Sequence, residues 1–544
     1  MLVGLNSIRF ENQQNLSFTN NKKTVSSPRA SLHQLNQDKF EYTNARKNNL
    51  IYFGSNNTKS NFSVTAMAPL HINNDIEMAN FVKDLQFGKA NGVNTISVDV
   101  WWGIAEKAGE QKFDWKYYEK IFKTIKDNGL KITPILSMHQ CGGNVGDNVN
   151  IPIPEWTWDY LATKMGANQN LSGDAVETAK TIGRTLKEDL YYKNERGQNI
   201  SEVVPIWYDE VMMPKYKQFM KGFNDHFISN FDSQINIKDN IDEIHISCGP
   251  AGELRYPTYS ENLQGAEFPS RGWFVGYDKG GTTSFRKYIE KKYNNDIHKL
   301  NYDWETKLGS FSEILPPHNN PVEEGRAKGF VDAKDYVNTK YGKDYIEWYH
   351  NTLIKHGEDL LINSHEIFKD TEIPIGIKIP GIHWQIANMN TPRIAEIVAG
   401  QVDNNTSREF DFGYKGFFDM IKSVKDRYAK NDTITYFTCL EMDNDLKGNL
   451  NGKQTNSMAK SLVEWVLDAA KSRGLTIKGE NACESNLQSE KAWNMLKYNS
   501  WEGYDGVTFL RLGALNNNKH FQDFMNWVKG DLIKKARQVF KNAA

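Results

Sequence analysis

Short apolar runs alternate with amphipathic helical patterns from about residue 60 onward, and this alternation restricts the fold more than any other feature of the chain. We predict eight β-strands, at 63–70, 95–102, 131–138, 243–249, 373–380, 434–440, 475–481 and 506–512. Helical patterns separate most of them, at 77–92, 114–129, 213–231, 343–368, 413–429, 459–474 and 489–501. Strands that alternate with helices predict a parallel sheet with right-handed crossover connections.

The strand count favours an α/β protein with a closed (β/α)8 barrel, the TIM-barrel fold. A doubly wound open sheet is the alternative, but no Gly-rich dinucleotide fingerprint follows the first strand. Long segments follow the third, fourth and fifth strands, at about 140–212, 250–342 and 382–412. We expect these to be excursions built on the βα loops. The 544-residue length suits one such barrel with insertions.

Composition and short motifs argue against several classes of function. Lys and Arg (66) nearly balance Asp and Glu (67), so no basic excess is present for a nucleic-acid partner. No run approaches about eighteen consecutive apolar residues, so no membrane span is expected. We expect no cofactor or metal, because no HExxH, P-loop or GxSxG motif occurs. The four cysteines match no zinc pattern and are expected to be free thiols: Cys141, Cys248, Cys439 and Cys483.

Polar side chains that carry chemistry follow the predicted strands at one end. Active sites of (β/α)8 barrels gather at the C-terminal strand ends. The candidates in chain order are Asp99, His139, Asp147, Glu253, Lys378, His383, Thr438, Glu441, Glu480 and Arg511. Two carboxylates on different strand ends, with His, Lys, Arg and aromatic groups around them, indicate hydrolysis of a glycosidic bond. Sequence spacing leaves open whether the second carboxylate attacks the sugar or activates water.

Three segments share one design, an apolar run followed by glycine and then polar groups. The segment IHISCGPAGELRYPTY (244–259) delivers Glu253 after a glycine-containing turn. HQCGGNVGD (139–147) and GENA (479–482) repeat the design. Glycine next to an acid at a strand end lets a ligand approach the backbone closely.

HQCGGNVGD (139–147) and GPAGELRYPTY (249–259) closely resemble the two signature segments of the β-amylase family. Five further motifs stand in the family's order: VDVWWG (98–103), KIPGIHW (378–384), FTCLEM (437–442), GENA (479–482) and FLRL (509–512). The resemblance covers about residues 62–525. Several phrases are more similar to the bacterial branch: SRGWF (270–274), ILPP (314–317) and YGKDYIEWY (341–349).

The resemblance implies an exo-acting enzyme that releases β-maltose from the non-reducing ends of α-1,4-glucans, with inversion. Glu253 is the implied general acid and Glu480 the implied general base, while residues 142–149 form an implied mobile flap. The implied substrate-binding residues are Asp99, His139, Asp147, Lys378, His383, Thr438, Asn481, Ala482 and Arg511. The alternative is a non-catalytic glucan-binding or regulatory homologue, which both acids and the intact flap disfavour. Oligomeric state stays open.

The chain departs from the family pattern at a few positions. Cys483 replaces a usual Leu, and Val149 stands where some bacterial relatives carry a second Cys, so no disulfide is expected in that loop. Glu106 and Glu110 match part of a bacterial calcium site, but the partner segment 215–218 lacks its acids, so no calcium is expected.

Three other polar residues are expected to have supporting roles and not to take part directly in the chemistry. We expect His245 to be a satisfied core histidine and Glu441 to orient its neighbours. Arg255 is expected to form an ion pair near Glu253, where its charge can also tune the pKa of that acid.

The domain prediction follows from these assignments. Residues 61–530 are expected to form the (β/α)8 catalytic domain, and 531–544 a helical tail. Residues 1–60 are rich in Asn, Ser and Lys and poor in acids, which is typical of a disordered or targeting segment. They show no clear secretory signal, so cytoplasmic and plastid-like locations both stay open.

Overall fold

Eight parallel strands close a barrel within the described part of the chain. Their bounds are β1 Ser63–Met67, β2 Thr95–Trp101, β3 Lys131–Ser137, β4 Ile244–Ile246, β5 Ile375–Ile379, β6 Thr433–Phe437, β7 Thr476–Glu480 and β8 Gly506–Phe509. Each strand pairs with the next in sequence, and β1 also pairs with β8. The TIM-barrel prediction is confirmed. The open-sheet alternative is wrong because the first and last strands pair with each other.

The computed structural model describes residues 62–535, except 145, 168–185, 231–233, 261, 320–321, 429 and 517. The predicted segment 1–60 lies outside the described residues, as do residues 536–544 of the predicted tail.

One helix follows each strand and completes the repeating unit. The helices are α1 Asp75–Asn91, α2 Lys116–Asp127, α3 Asp209–Phe227, α4 Lys340–Phe368, α5 Lys415–Arg427, α6 Ala459–Lys471, α7 Glu490–Glu502 and α8 Lys519–Trp527. The sequence patterns predicted seven of them but not the short α8. A π-helical turn, Val528–Leu532, follows α8 directly, and helix continues to residue 535. The backbone stays helical across residue 530, so no break in the secondary structure marks the domain boundary that the sequence placed there. That boundary stays a prediction.

Local signals explain where the first helix begins and ends. The Asn74 side chain accepts a hydrogen bond of 2.9 Å from the backbone N–H of Glu77, which caps the start of α1. Gly92 ends the helix with a φ of 108°, a left-handed conformation that glycine adopts at low cost. The strands themselves are buried on nearly every residue, as parallel strands covered by helices are.

Three long connections enlarge the C-terminal end of the barrel, as predicted. They join β3 to α3, β4 to α4 and β5 to α5. Their longer helices are Glu155–Met165, Lys279–Lys292 and Ile297–Trp304, with a short one at Ile394–Val398. Two small ribbons extend the β6–α6 loop, Asn444–Asp445 with Ser457–Met458 and Asn449–Leu450 with Lys453–Gln454.

A buried polar cluster links the start of β4 to β6 and β7 across the barrel. We call Glu243, His245, Tyr436 and Lys478 the deep cluster. The Glu243 carboxylate accepts a 2.7 Å hydrogen bond from the Tyr436 hydroxyl, forms a salt bridge with Lys478 and lies 3.2 Å from His245 Nε2. Although burial raises the pKa of Glu243, the Lys478 charge and its other partners hold that pKa at about 2. The prediction that His245 is a satisfied core histidine is confirmed.

The cysteines and the helices bear on two remaining structural features. Cys141, Cys248 and Cys439 are buried free thiols, and Cys483 is half-buried. Among the described residues, none of the helices combines the length and apolarity that a bilayer crossing demands.

Candidate active site

A tight turn after β4 presents Glu253 at the barrel mouth. The turn covers Pro250–Gly252, where Ala251 and Gly252 have φ values of 55° and 77°. Glu253 then forms a parallel bridge with Lys378 on β5. Glu253 is only 8% exposed, and its Oε2 accepts a 2.8 Å hydrogen bond from Arg255 Nε. The ion pair expected between Arg255 and Glu253 is therefore present.

The surroundings of Glu253 favour its protonated form. Burial raises the pKa of the Glu253 carboxyl group, and the charges of Arg255 and Lys378 offset this only in part. The negative charge of Glu480 raises the pKa further. A carboxyl group that keeps its proton in this way is suited to donate it to a leaving group.

Glu480 ends β7 and faces a lysine ammonium group. Lys378 Nζ lies 2.9 Å from Glu480 Oε1, and both side chains are almost fully buried. Burial lowers the pKa of Lys378, but the carboxylates of Glu480 and Glu253 outweigh burial and raise it overall. Lys378 is therefore a fixed positive charge between two acids. We call Glu253, Arg255, Lys378 and Glu480 the mouth cluster.

Asp99 and Arg511 lie beside this cluster, at the ends of β2 and β8. Asp99 accepts a 3.0 Å hydrogen bond from the Ser137 hydroxyl, and Arg511 Nη1 lies 4.0 Å from its Oδ2. Burial raises the pKa of Asp99, while Arg511 and Lys378 lower it in part. Arg511 Nη1 also donates to the carbonyl oxygen of Ala68 at 3.0 Å, which holds the guanidinium at the mouth.

His139 is a neutral hydrogen-bonding group at the same mouth. Its Nδ1 lies 2.8 Å from the Ser247 hydroxyl, and its ring packs edge-on to Trp101 at 5.2 Å between centroids. Burial lowers the pKa of His139 to about 3. The ring therefore stays uncharged at neutral pH, and its role at the mouth is hydrogen bonding.

The loop after β3 carries Asp147, whose carboxylate turns back onto the loop. Its Oδ2 accepts hydrogen bonds from the backbone N–H groups of Gly142, Gly143 and Asn144, at 2.8, 3.0 and 2.9 Å. The prediction that this carboxylate binds a sugar stays a prediction. In the structure its contacts hold the loop in shape, and Asn144 is the side chain that reaches toward the mouth cluster.

His383 and Thr438 lie on the loops after β5 and β6. His383 Nδ1 lies 2.8 Å from the Ser457 hydroxyl, and burial lowers the pKa of the ring to about 4. Thr438 Oγ1 accepts a 2.6 Å hydrogen bond from the backbone N–H of Gly381. The Thr438 side chain thus ties one loop to the other.

Asn481 and Ala482 are held by contacts within the protein. The Asn481 amide donates to the carbonyl oxygens of Cys483 and Leu510 and accepts from the Leu510 N–H, so it joins the ends of β7 and β8. The Ala482 N–H lies 3.0 Å from each Glu441 oxygen. Glu441 therefore orients this loop, which confirms its predicted role.

Sequence reasoning missed several partners of the site. Ser137 and Ser247 hold Asp99 and His139, and Glu202 lies buried behind Asn144. Glu202 comes from the excursion after β3, where no strand or glycine motif marks it. The one available signal is an acid inside an apolar stretch, SEVVPIW at 201–207.

The acids considered for calcium are engaged with other groups. Lys215 Nζ lies 2.5 Å from Glu110 Oε1, and Glu106 Oε2 accepts a 2.6 Å hydrogen bond from the indole N–H of Trp102. The Lys215 ammonium supplies the positive charge that a cation would bring, so these residues do not fit a calcium ion. Across the described ranges, no group of three or more His, Cys, Asp or Glu side chains could hold a metal ion.

Fold and site together define a barrel-type glycoside hydrolase, with two buried acids and one lysine at the C-terminal mouth of a (β/α)8 barrel. The sequence matches Glycosyl hydrolase family 14 over residues 65–538, and the chain belongs to that family.

The chain is similar to bacterial β-amylases. It is 34% identical over 459 residues to the thermophilic β-amylase of Thermoanaerobacterium thermosulfurigenes, covering 84% of this chain and 72% of that one. It is 34% identical over 433 residues to the β-amylase of Bacillus cereus, covering 79% and 67%. The crystal structure of the catalytic domain of the Paenibacillus polymyxa β-amylase matches with a TM-score of 0.68 and 32% identity, covering 87% of this chain and 98% of that one. The resemblance to the β-amylase family is confirmed, and the chain is a glycosidase of the β-amylase type.

Proposed function

We propose that this enzyme hydrolyses α-1,4-glucosidic bonds of starch-type glucans from the non-reducing end and releases β-maltose with inversion. Glu253 is the general acid and Glu480 the general base. The contrast between the two carboxyl groups carries this assignment: burial raises the pKa of Glu253, whereas Glu480 makes a salt bridge of 2.9 Å with Lys378. Two carboxyl groups in different electrostatic surroundings are what acid–base hydrolysis of a glycoside requires.

The proposed reaction runs in one displacement. Glu253 transfers its proton to the glycosidic oxygen as the bond from that oxygen to the anomeric carbon breaks. Glu480 takes a proton from a water molecule, whose oxygen attacks the anomeric carbon from the opposite face. The new hydroxyl group therefore has the β configuration. Arg255 stabilises the carboxylate that forms at Glu253, and both carboxyl groups return to their starting states by proton exchange with water.

Substrate binding is proposed for the polar groups around the two acids. Asp99, His139, Asp147 and Arg511 line the side reached by the terminal sugars, and Asp147 also shapes the loop that covers it. On the leaving side we propose Lys378 and His383. The remaining proposed binding residues are Thr438, Asn481 and Ala482. We extend the same proposal to the domain prediction, with residues 61–530 as the catalytic domain.

The anomeric form of the first product tests the proposal most directly. We expect proton NMR of a maltopentaose digest to show β-maltose first, with the α form appearing only as mutarotation proceeds. Initial α-maltose would contradict inversion. A complete lack of cleavage would instead favour the non-catalytic alternative, which has no support among the matched relatives.

The mode of attack is tested with polymeric and blocked substrates. A pocket that holds the chain terminus accepts only a free non-reducing end. Soluble starch should therefore lose viscosity slowly while maltose accumulates, and a maltooligosaccharide blocked at that end should resist cleavage. A rapid loss of viscosity with mixed oligosaccharides would show an endo-acting groove.

A further inference from the structure

The Arg255 guanidinium contacts Glu253 through one nitrogen only. Its Nε donates to Glu253 Oε2 at 2.8 Å, while its Nη2 donates to Asn144 Oδ1 at 2.9 Å. The cation lies over the Tyr259 ring, 4.2 Å from the centroid. An arginine fork that binds one carboxylate with two nitrogens is the stronger arrangement. Here the second donor is directed to an amide on another loop.

A second buried acid lies behind that amide. Glu202 is 7% exposed, and its Oε1 accepts a 3.0 Å hydrogen bond from Asn144 Nδ2. Its backbone carbonyl accepts a 2.7 Å hydrogen bond from Gln140 N–H, which ties it to the loop after β3. Burial raises the pKa of Glu202, and the largest opposing effect is the charge of Arg255. One guanidinium thus serves two buried carboxylates.

The charges on either side fix the orientation of the Asn144 amide. Its oxygen faces a guanidinium, which only donates, and its nitrogen faces a carboxylate oxygen, which accepts. The loop around it is held by Ser260, whose hydroxyl donates to the Gly143 carbonyl at 2.8 Å, and by Asn262, whose amide donates to the Gly142 carbonyl at 2.9 Å. The Asn144 side chain therefore connects Glu202 to Arg255, the cation that also contacts Glu253.

We propose that Glu202 and Asn144 are positioning residues for Glu253, because together they hold Arg255 in a single-bond contact with the acid and share its charge with a second carboxylate. The proposal rests on the role of Glu253 proposed above. Its consequence is that Glu253 faces only part of the positive charge of Arg255 and keeps its proton to higher pH.

Several charged or titratable groups face Glu253, and the Glu202 effect is separable from theirs. They are Arg255, Lys378, Glu480, Tyr259 and Cys439. Glu202 acts on Glu253 through Arg255 and also directly through its own negative charge, and both effects raise the pKa of Glu253. Removing the Glu202 charge leaves the contacts of Glu253 with the other five groups in place.

Two substitutions should move the pH profile of kcat/KM in opposite directions. Glu202→Gln keeps the size and an acceptor oxygen but removes the charge, so Arg255 then stabilises ionised Glu253 more fully. The alkaline limb should shift to lower pH by on the order of one unit. Asn144→Asp adds a carboxylate that competes for Arg255, so the limb should shift to higher pH. A purely structural role would change activity at all pH values without opposite shifts.

The matched control is Glu195→Gln on the same excursion. Glu195 is fully buried and forms a salt bridge with Arg271. Its substitution should lower thermal stability while leaving the alkaline limb in place. The proposal is overturned if the Glu202→Gln limb stays in place, or if Glu195→Gln moves it equally. If Glu202→Gln fails to fold, Asn144→Asp is the deciding variant, because Asn144 lies half-buried on a loop where a substitution should be tolerated. An alkaline limb that stays in place in Asn144→Asp then overturns the proposal. Failure of the proposed function has a separate signature, a Glu253→Gln variant that retains activity.

Discussion

The mouth cluster and the deep cluster place similar side chains in the same barrel and give them opposite properties. In the deep cluster one acid, Glu243, has a lysine, a tyrosine and a histidine as partners, and its pKa is held at about 2. In the mouth cluster two acids compete for the nearby positive charges, and the pKa of Glu253 is raised. The ratio of acids to their partners, and not burial alone, decides which carboxyl group keeps a proton.

The largest expected effect is a loss of turnover, and it belongs to the mouth cluster. Glu253→Gln and Glu480→Gln should each lower kcat by about 10²–10⁴-fold or more, because Gln neither delivers nor accepts a proton. Binding of maltooligosaccharides, measured by calorimetry, should stay largely intact. If either variant retains more than about a tenth of the wild-type kcat, the role given to that residue is wrong.

The next largest effect concerns stability and belongs to the deep cluster. Glu243→Gln leaves the buried Lys478 ammonium without its charged partner, which should cost about 3–5 kcal/mol of unfolding free energy in urea titrations. The kcat of the folded protein should be nearly unchanged. The double variant Glu243→Gln, Lys478→Met removes both charges and should recover part of the loss. A Glu243→Gln kcat as low as that of Glu253→Gln would show that the clusters do not have separate roles.

A smaller effect is expected at the loop that covers the mouth cluster. Asp147→Asn removes the charge that three backbone N–H groups share, so the loop should be less well ordered around the substrate. We expect kcat/KM to fall by about tenfold, with little change in the melting temperature. Unchanged kinetics, or a mainly unstable protein, would show that the loop has a structural role only.

The smallest effects appear in how stability depends on pH, and their signs differ between the clusters. The lowered pKa of Glu243 contributes stability above about pH 4.5, and this is lost as pH falls toward about 2. The raised pKa of Glu253 acts the other way, since its contribution is present at low pH and lost as pH rises through the folded-state pKa. Glu253→Gln should therefore become more stable relative to wild type as pH rises. Glu243→Gln should lose less stability than wild type as the pH is lowered. Melting temperatures across the pH range will show whether the two signs differ.

The strand predictions show how far local patterns reach. All eight strands occur where the apolar runs predicted them, but each ends one to three residues earlier; the predicted strand 243–249 is observed as Ile244–Ile246. At these ends, turns that contain glycine and hydrogen bonds to the loops replace the backbone hydrogen bonds between neighbouring strands. Thr438, Asn481 and Arg511 therefore lie on the loops that begin at the mouth.

The sequence by itself determined the barrel type and the strand end at which each polar residue lies, because both depend on periodicity and on neighbours along the chain. Only the tertiary structure decided the partners. Lys378 meets Glu480, and Asn144 joins Arg255 to Glu202 across 111 and 58 residues of sequence. Hydrogen bonds and pKa values depend on distances of a few ångströms between remote segments, and those distances are set when the strands and loops pack together.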